Sequence, residues 1–352
     1  MSEYTFSSNV PNDVIDVYAK PDIKVKSLKP KYSDELRVQL EGKSVDNSVV
    51  NALRRTAMEW VAVYGVHRSN CYIDHKKCKY MYNNDFMYNL LETLPFYDID
   101  NDFDLENPEL YLQTPELRSA FPAFIQDRPT DEEIIPYIPK RTKKVEITIG
   151  YKNNSNEDHF VSTHDIILRI DGAVSDSYKK HDHVCICVIK PGEEINLRAE
   201  ATLGIAKIHA IWEACTQAFH EEITPMKYIL YYETLGQLHQ LDIFRKSTVI
   251  LIKQLQSLYE YNKKHVKDEG GKQFREEYKG LDHTIGNLLA TTLQKCTLVR
   301  SAAYTMDHLF INTVVVEFII QDTTKIGTVQ VLLDTISYLI KVFQAIDKSK
   351  LD

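Results

Sequence analysis

From about Ile326 to Ile346 the chain places Val329, Leu332, Leu333, Ile336, Leu339, Ile340, Phe343 and Ile346 on one side of a helix, the spacing of a broad apolar face. A unit of about seventy residues cannot hide that face, because so small a domain buries too little surface. Whatever this chain folds into must supply a second surface. Just upstream, Ile285, Leu288, Leu289, Thr292, Leu293 and Cys296 repeat the helical period in a shorter segment, whose first turn Asp282 or Thr284 can cap by accepting from free backbone N–H groups. Between the two helices, residues 313–321 read as an extended run.

The other half lies near the N-terminus. Leu36, Val38 and Leu40 alternate as a half-buried strand, and Val45, Val49, Val50, Leu53, Ala57, Trp60 and Tyr64 form a helical stripe. A second long amphipathic helix, roughly 241–261, carries Phe244, Leu251, Leu255 and Leu258. The two halves form a pseudo-repeat: Gly42 leads to Val50-Asn51-Ala52-Leu53 as Gly280 leads to Gly286-Asn287-Leu288-Leu289, although the spacing from glycine to asparagine differs between the copies.

These stretches resemble a known family. Leu281-Asp282-His283-Thr284-Ile285-Gly286-Asn287-Leu288-Leu289 resembles the signature of the small assembly subunit of cellular RNA polymerases, the archaeal L subunit and its eukaryotic counterpart. Asn51-Ala52-Leu53-Arg54-Arg55 resembles the first helix of its partner, the bacterial alpha or archaeal D type subunit. Asn84 to Leu91 with Leu94-Pro95-Phe96, and Gly204-Ile205-Ala206-Lys207-Ile208-His209-Ala210-Ile211-Trp212, are similar to later segments of that partner. The resemblance covers most of residues 33–345. Fusion in this order is similar to the third-plus-eleventh subunit fusions of large nucleocytoplasmic DNA viruses.

The resemblance implies an α+β protein in which two ferredoxin-like α/β dimerisation modules pack as an intramolecular pseudo-dimer. The first module, residues 33–66 plus 225–262, is split by a mostly-β insertion at 67–224. A linker at 263–280 leads to the second module at 281–352, and 1–32 is an N-terminal extension. Leu53, Trp60, Leu251, Leu255, Ile285, Leu288, Leu289, Leu332, Ile336 and Leu339 are expected at the internal interface. Arg54, Arg55, Lys207, His209 and Trp212 are expected on the outside, contacting the two largest polymerase subunits. Small polymerase subunits are further expected partners, with DNA and RNA reached only through the complex. A virus-encoded chain of this family would work in the host cytoplasm, in the virus factory, and be packaged in the virion.

Composition agrees with a non-catalytic platform. The 352 residues, 43% hydrophobic, suffice for two or three cored domains. Residues 1–10 lack a basic and an apolar region, so no secretion signal is expected. No stretch reaches the roughly 18 to 20 apolar residues of a membrane span, since Glu317 interrupts 314–320. Six cysteines, none in a C-x-x-C pair, fit a reducing compartment. These features point to a soluble intracellular protein. The net charge of -8 is concentrated: residues 98–135 hold eleven Asp or Glu against Arg118 and Arg128, a net of -9. Four prolines in that segment make it an acidic surface excursion.

No metal or cofactor is expected. Asp98, Asp100, Asp102, Asp104 and Glu109 occupy EF-hand loop positions, but Phe103 stands where the turn needs glycine, and Pro95, Pro108 and Pro115 spoil the flanking helices. Asp102-Phe103-Asp104 lacks the glycine and third aspartate of a polymerase magnesium loop. Six residues separate Cys71 from Cys78, too many for a zinc knuckle even with His67 and His75. The metal or iron–sulfur site of some relatives needs closely spaced cysteines, and 97–184 has none. Cys185 and Cys187 alternate within an apolar strand as packing residues. There is no G-x-S-x-G, H-E-x-x-H or phosphate loop. The rival from another class is a free-standing interaction scaffold sharing the fold, which would not copurify with polymerase subunits. A lone nucleic-acid binder is disfavoured by the acidic balance.

Overall fold

Leu36, Val38 and Leu40 turn inward from strand β2 (Glu35–Glu41) while Arg37 and Gln39 turn outward, so one face of a sheet is apolar and must be covered. The computed structural model describes residues 14–32, 35–74, 76–99, 143–207, 209–268, 270–306, 313–349 and 351. β2 pairs antiparallel with β1 (Lys24–Leu28) and β11 (Lys227–Thr234), and β10 (Cys215–Thr224) closes the far side. On the inner face lie α1 (Asn47–Glu59) and the long α4 (Gln240–His265). Asp46 caps α1 by accepting from the Val49 amide at 3.1 Å.

The C-terminal third repeats this plan. β12 (Gln273–Lys279), α5 (His283–Lys295), β13 (Val299–Thr305), β14 (Thr313–Ile320) and α6 (Thr328–Asp347) form a sheet in the order β12-β14-β13. That matches β2-β11-β10 strand for strand, with α1 answering to α5 and α4 to α6. One irregularity is shared: the ladder slips at Cys215/Gln217 in one copy and at Val299/Ser301 in the other, while a second slip at Glu222/Thr224 belongs to the first copy. Each copy has the βαββα order of a ferredoxin-like unit without its closing strand. β1 instead widens the first sheet on its other edge.

The helix layers of the two copies face each other, α4 against α6 and α1 against α5. All ten residues expected at the internal interface are at most 8% exposed and belong to one continuous core that runs through both copies. Burial of each Leu or Ile contributes roughly 1.5 to 3 kcal/mol. α6 is long and apolar enough by length and composition to cross a membrane, which the expectation of no such stretch missed. Its Val331, Leu332, Ile336, Leu339, Val342 and Phe343 are instead consumed by this core.

One boundary moves. β10, expected within the insertion, pairs with β11 throughout and so completes the first sheet. Within the N-terminal extension, Ile15 donates its amide to the Lys295 carbonyl at 2.8 Å, its own carbonyl accepts from Thr297, and the Tyr18 hydroxyl donates to Asp334 at 2.7 Å. Residues 15–28 thus strap the second copy to the first sheet.

Between α1 and β10 the chain builds a second core. β3 (Val63–Ile73), β4 (Val145–Lys152), β6 (Ile166–Ile170), β7 (Ala173–Ser175) and β9 (Glu194–Gly204) make a sheet ordered β3-β9-β4-β6-β7. β5 (His159–Ser162) pairs with β8 (Cys185–Ile189), while α2 (Asn84–Glu92) packs on β3 and α3 (Ser177–Lys180) on β6. Ile147, Ile149, Leu168 and Leu197 fill this core. The EF-hand-like positions after Asp98 and the Asp102–Asp104 triplet lie outside the described residues, as does His75.

Candidate functional site

The polar ends of α1 and α5 lie where the two copies meet, and each helix is N-capped by an aspartate, Asp46 or Asp282. The helices run side by side and both span 13 residues. Each capping carboxylate meets an ammonium at the far end of the other helix. Asp46 pairs with Lys295, in the last turn of α5, at 2.7 Å. Asp282 pairs with Lys207 at 2.8 Å, and Lys207 also holds Glu59, in the last turn of α1, at 3.1 Å. Glu59 stands where the other copy has Lys295, so the loop after β9 supplies the cation that α1 lacks. The Lys207 amide donates to the Glu59 carbonyl at 2.9 Å, which fixes that loop on the helix terminus. Cations at helix C-termini and carboxylates at N-termini each oppose the local end of the helix dipole.

The Lys207 node is largely dry, with side-chain exposures of 18% for Lys207 and 11% for Asp282. Burial alone would raise the Asp282 pKa, but the Lys207 ammonium, Arg55 and the Thr284 amide together hold it below the usual carboxylate range. Burial alone would lower Lys207; Asp282 and Glu59 outweigh it and raise the ammonium above its ordinary value. Arg55 closes the network onto Glu59 at 2.8 Å. One node therefore joins the first copy, the second copy and the insertion.

Lys207 and Trp212 were expected to face outward, and both turn inward. The Trp212 indole is 8% exposed and belongs to the main core. Its Nε1–H donates to the Thr202 carbonyl at 2.8 Å, and its ring lies flat on the strand backbone at Gly204, where a Cβ would come within 2.3 Å of a ring carbon. Gly65 on the neighbouring strand opens the rest of the slot. The Gly204–Trp212 motif is thus a wedge that locks β3, β9 and α1 together. His209 does stay exposed; its Nδ1 caps the short turn 210–212 by accepting from the Ile211 amide. Arg54 lies half-buried against β10, its Nε donating to Asn51 at 2.9 Å. The five residues do not converge on one outer surface.

Asp46, Glu59, Asp282 and Lys295 were not singled out as paired groups in the sequence. One signal was available: aspartate precedes asparagine by five residues in both copies, at Asp46/Asn51 and Asp282/Asn287, which registers the helices where the glycines do not. Gly286 in the same signature lets α5 sit on its sheet, since a Cβ there would meet the Tyr304 ring at 2.8 Å and Val314 at 3.0 Å. Among the described residues, no group of three or more His, Cys, Asp or Glu is arranged to hold a metal.

The doubled βαββα plan packs helix layer on helix layer, and the capped signature helix lies in its second copy. The pattern of the RNA polymerase Rpb3/Rpb11 dimerisation domain matches residues 275–349. The chain belongs to the family of a putative DNA-directed RNA polymerase subunit of Acanthamoeba polyphaga mimivirus, to which it is 44% identical over 343 residues, covering 96% of each chain.

Proposed function

We propose that this chain is the non-catalytic assembly subunit of a multisubunit DNA-directed RNA polymerase. It is a pseudo-dimer within one polypeptide, split in its first half by an inserted mostly-β domain. The observation that carries this is the pair of βαββα units sharing one core, together with kinship to a polymerase subunit. Tethering the halves replaces a bimolecular dimerisation by an intramolecular one at about millimolar effective concentration. The rigid platform then receives the two largest subunits and small subunits, and contributes no group to nucleotidyl transfer. Arg54 and His209 remain available for such contacts, while Arg55 is engaged with Glu59. Lys207 and Trp212 serve instead to hold the platform in shape. For a virus-encoded polymerase, the place of action is the host cytoplasm and the virion.

Affinity purification of the tagged chain from its source tests this. Stoichiometric recovery with the two largest polymerase subunits is expected. Recovery of the chain alone would favour a free-standing scaffold.

A further inference from the structure

The two copies provide an internal control for the outer sheet faces, which no described helix or strand covers. In the second copy the ladder sets Arg275 beside Glu317 and Ala303, and Arg275 pairs with Glu317 at 2.5 Å. The equivalent row in the first copy is Arg37, Tyr231 and Phe219. Here the carboxylate has become a tyrosine and the alanine a phenylalanine. Arg37 lies over the Tyr231 ring at 5.1 Å and donates to its hydroxyl at 3.3 Å, and Phe219 stacks on the other side at 4.4 Å. The Arg37 Nε–H is buried with no acceptor. An arginine that is satisfied by Glu317-type chemistry in one copy therefore lacks it in the other.

The surroundings reinforce this. Glu41 is engaged by Lys227 and Gln39, and Glu221 accepts from the Tyr231 hydroxyl; on β1, Leu28 stands beside Arg37, and the exposed Lys26 and Lys24 lie opposite Gln39 and Glu41, further along the same face. Phe219 and Ile223 remain 48% and 46% exposed. Arginine and tyrosine around an exposed apolar ring is the composition of an interface hot spot.

We propose that the open face of β1-β2-β11-β10 is a protein-docking surface whose occupant is another polymerase subunit. That subunit inserts an Asp or Glu side chain against Arg37 and packs an apolar neighbour on Phe219. The carboxylate supplies the charge-assisted acceptor that Glu317 supplies to Arg275. The identity of the occupant rests on the assembly role proposed above.

The test places a photo-reactive benzoylphenylalanine at position 219, and in a control at position 303, of the full chain within purified polymerase. The expected result is a cross-link from 219 to one other subunit, at a peptide containing Asp or Glu, with at least tenfold less from 303. Arg37→Glu should lose that cross-link at least tenfold with an unchanged melting temperature, and a cationic residue at the cross-linked carboxylate should restore it. Equal yields at 219 and 303, no cross-link from a chain that does copurify with polymerase, or cross-links only to nucleic acid or within the chain would overturn the docking surface while leaving the assembly role intact. A chain that brings down no polymerase subunit overturns both.

Discussion

Replacing Lys207 by methionine keeps an unbranched stem of four heavy atoms and removes the ammonium, leaving Asp282 and Glu59 facing each other. Stranding a fully buried charge costs about 3 to 5 kcal/mol. Asp282 is 11% and Glu59 25% exposed, and Arg55 still holds Glu59, so a loss of about 2 to 3 kcal/mol is the working figure. The dependence on pH has a definite sign. Asp282 titrates below its ordinary value in the folded chain, so its stabilisation is complete above about pH 4 and is lost as pH falls through the depressed value. Lys207 titrates above its ordinary value, so its contribution persists up to about pH 10 and is lost only beyond it. Melting curves of the two chains should therefore differ most at neutral pH and converge in acid, the convergence starting above about pH 4 because burial raises the Asp282 pKa once the Lys207 ammonium is gone. Hydrogen exchange should report the loss at the N-terminus of α5 and in the loop after β9, and Asp282→Asn added to Lys207→Met should recover part of it. A Lys207→Met chain that melts within one degree of the parent at neutral pH, with unchanged exchange at both places, would refute the node.

Other outcomes follow from the same geometry. Gly204→Ala should push the Trp212 ring off the strand, break its bond to Thr202 and cost about 2 to 4 kcal/mol, seen as a lower melting temperature and a red-shifted tryptophan emission. Leu332→Ala and Leu339→Ala should each cost about 2 to 5 kcal/mol and deplete soluble chain, because both side chains are at most 1% exposed in the shared core. Cleavage between residues 269 and 270 should leave the two pieces comigrating in size-exclusion chromatography, and neither piece should stay soluble alone.

The parts of the fold legible in the sequence are those written as periodicity. The inward faces of β2, α1, α4, α5 and α6 each carry apolar residues at the period of their element, so the doubled layout could be read directly. β10 could not, since its inward face offers little beyond Cys215 and Ala218 while Phe219 and Ile223 point outward; its membership in the first sheet is decided by pairing with β11. The Lys207 node was hidden for another reason. Its partners lie 148 and 75 positions away, and a lysine beside a tryptophan looks like a contact surface until the strands bring Glu59 and Asp282 to it. Trp212 misled likewise, because its burial depends on the absence of side chains at Gly65 and Gly204, and an absent side chain leaves no pattern of its own.

The internal pseudo-dimer is tested most directly by its stoichiometry in the intact enzyme. Native mass spectrometry of the purified polymerase should find one copy of this chain for each pair of largest subunits, because both halves of the platform reside in one polypeptide. Two copies per enzyme, as a homodimer of the chain would give, would contradict it.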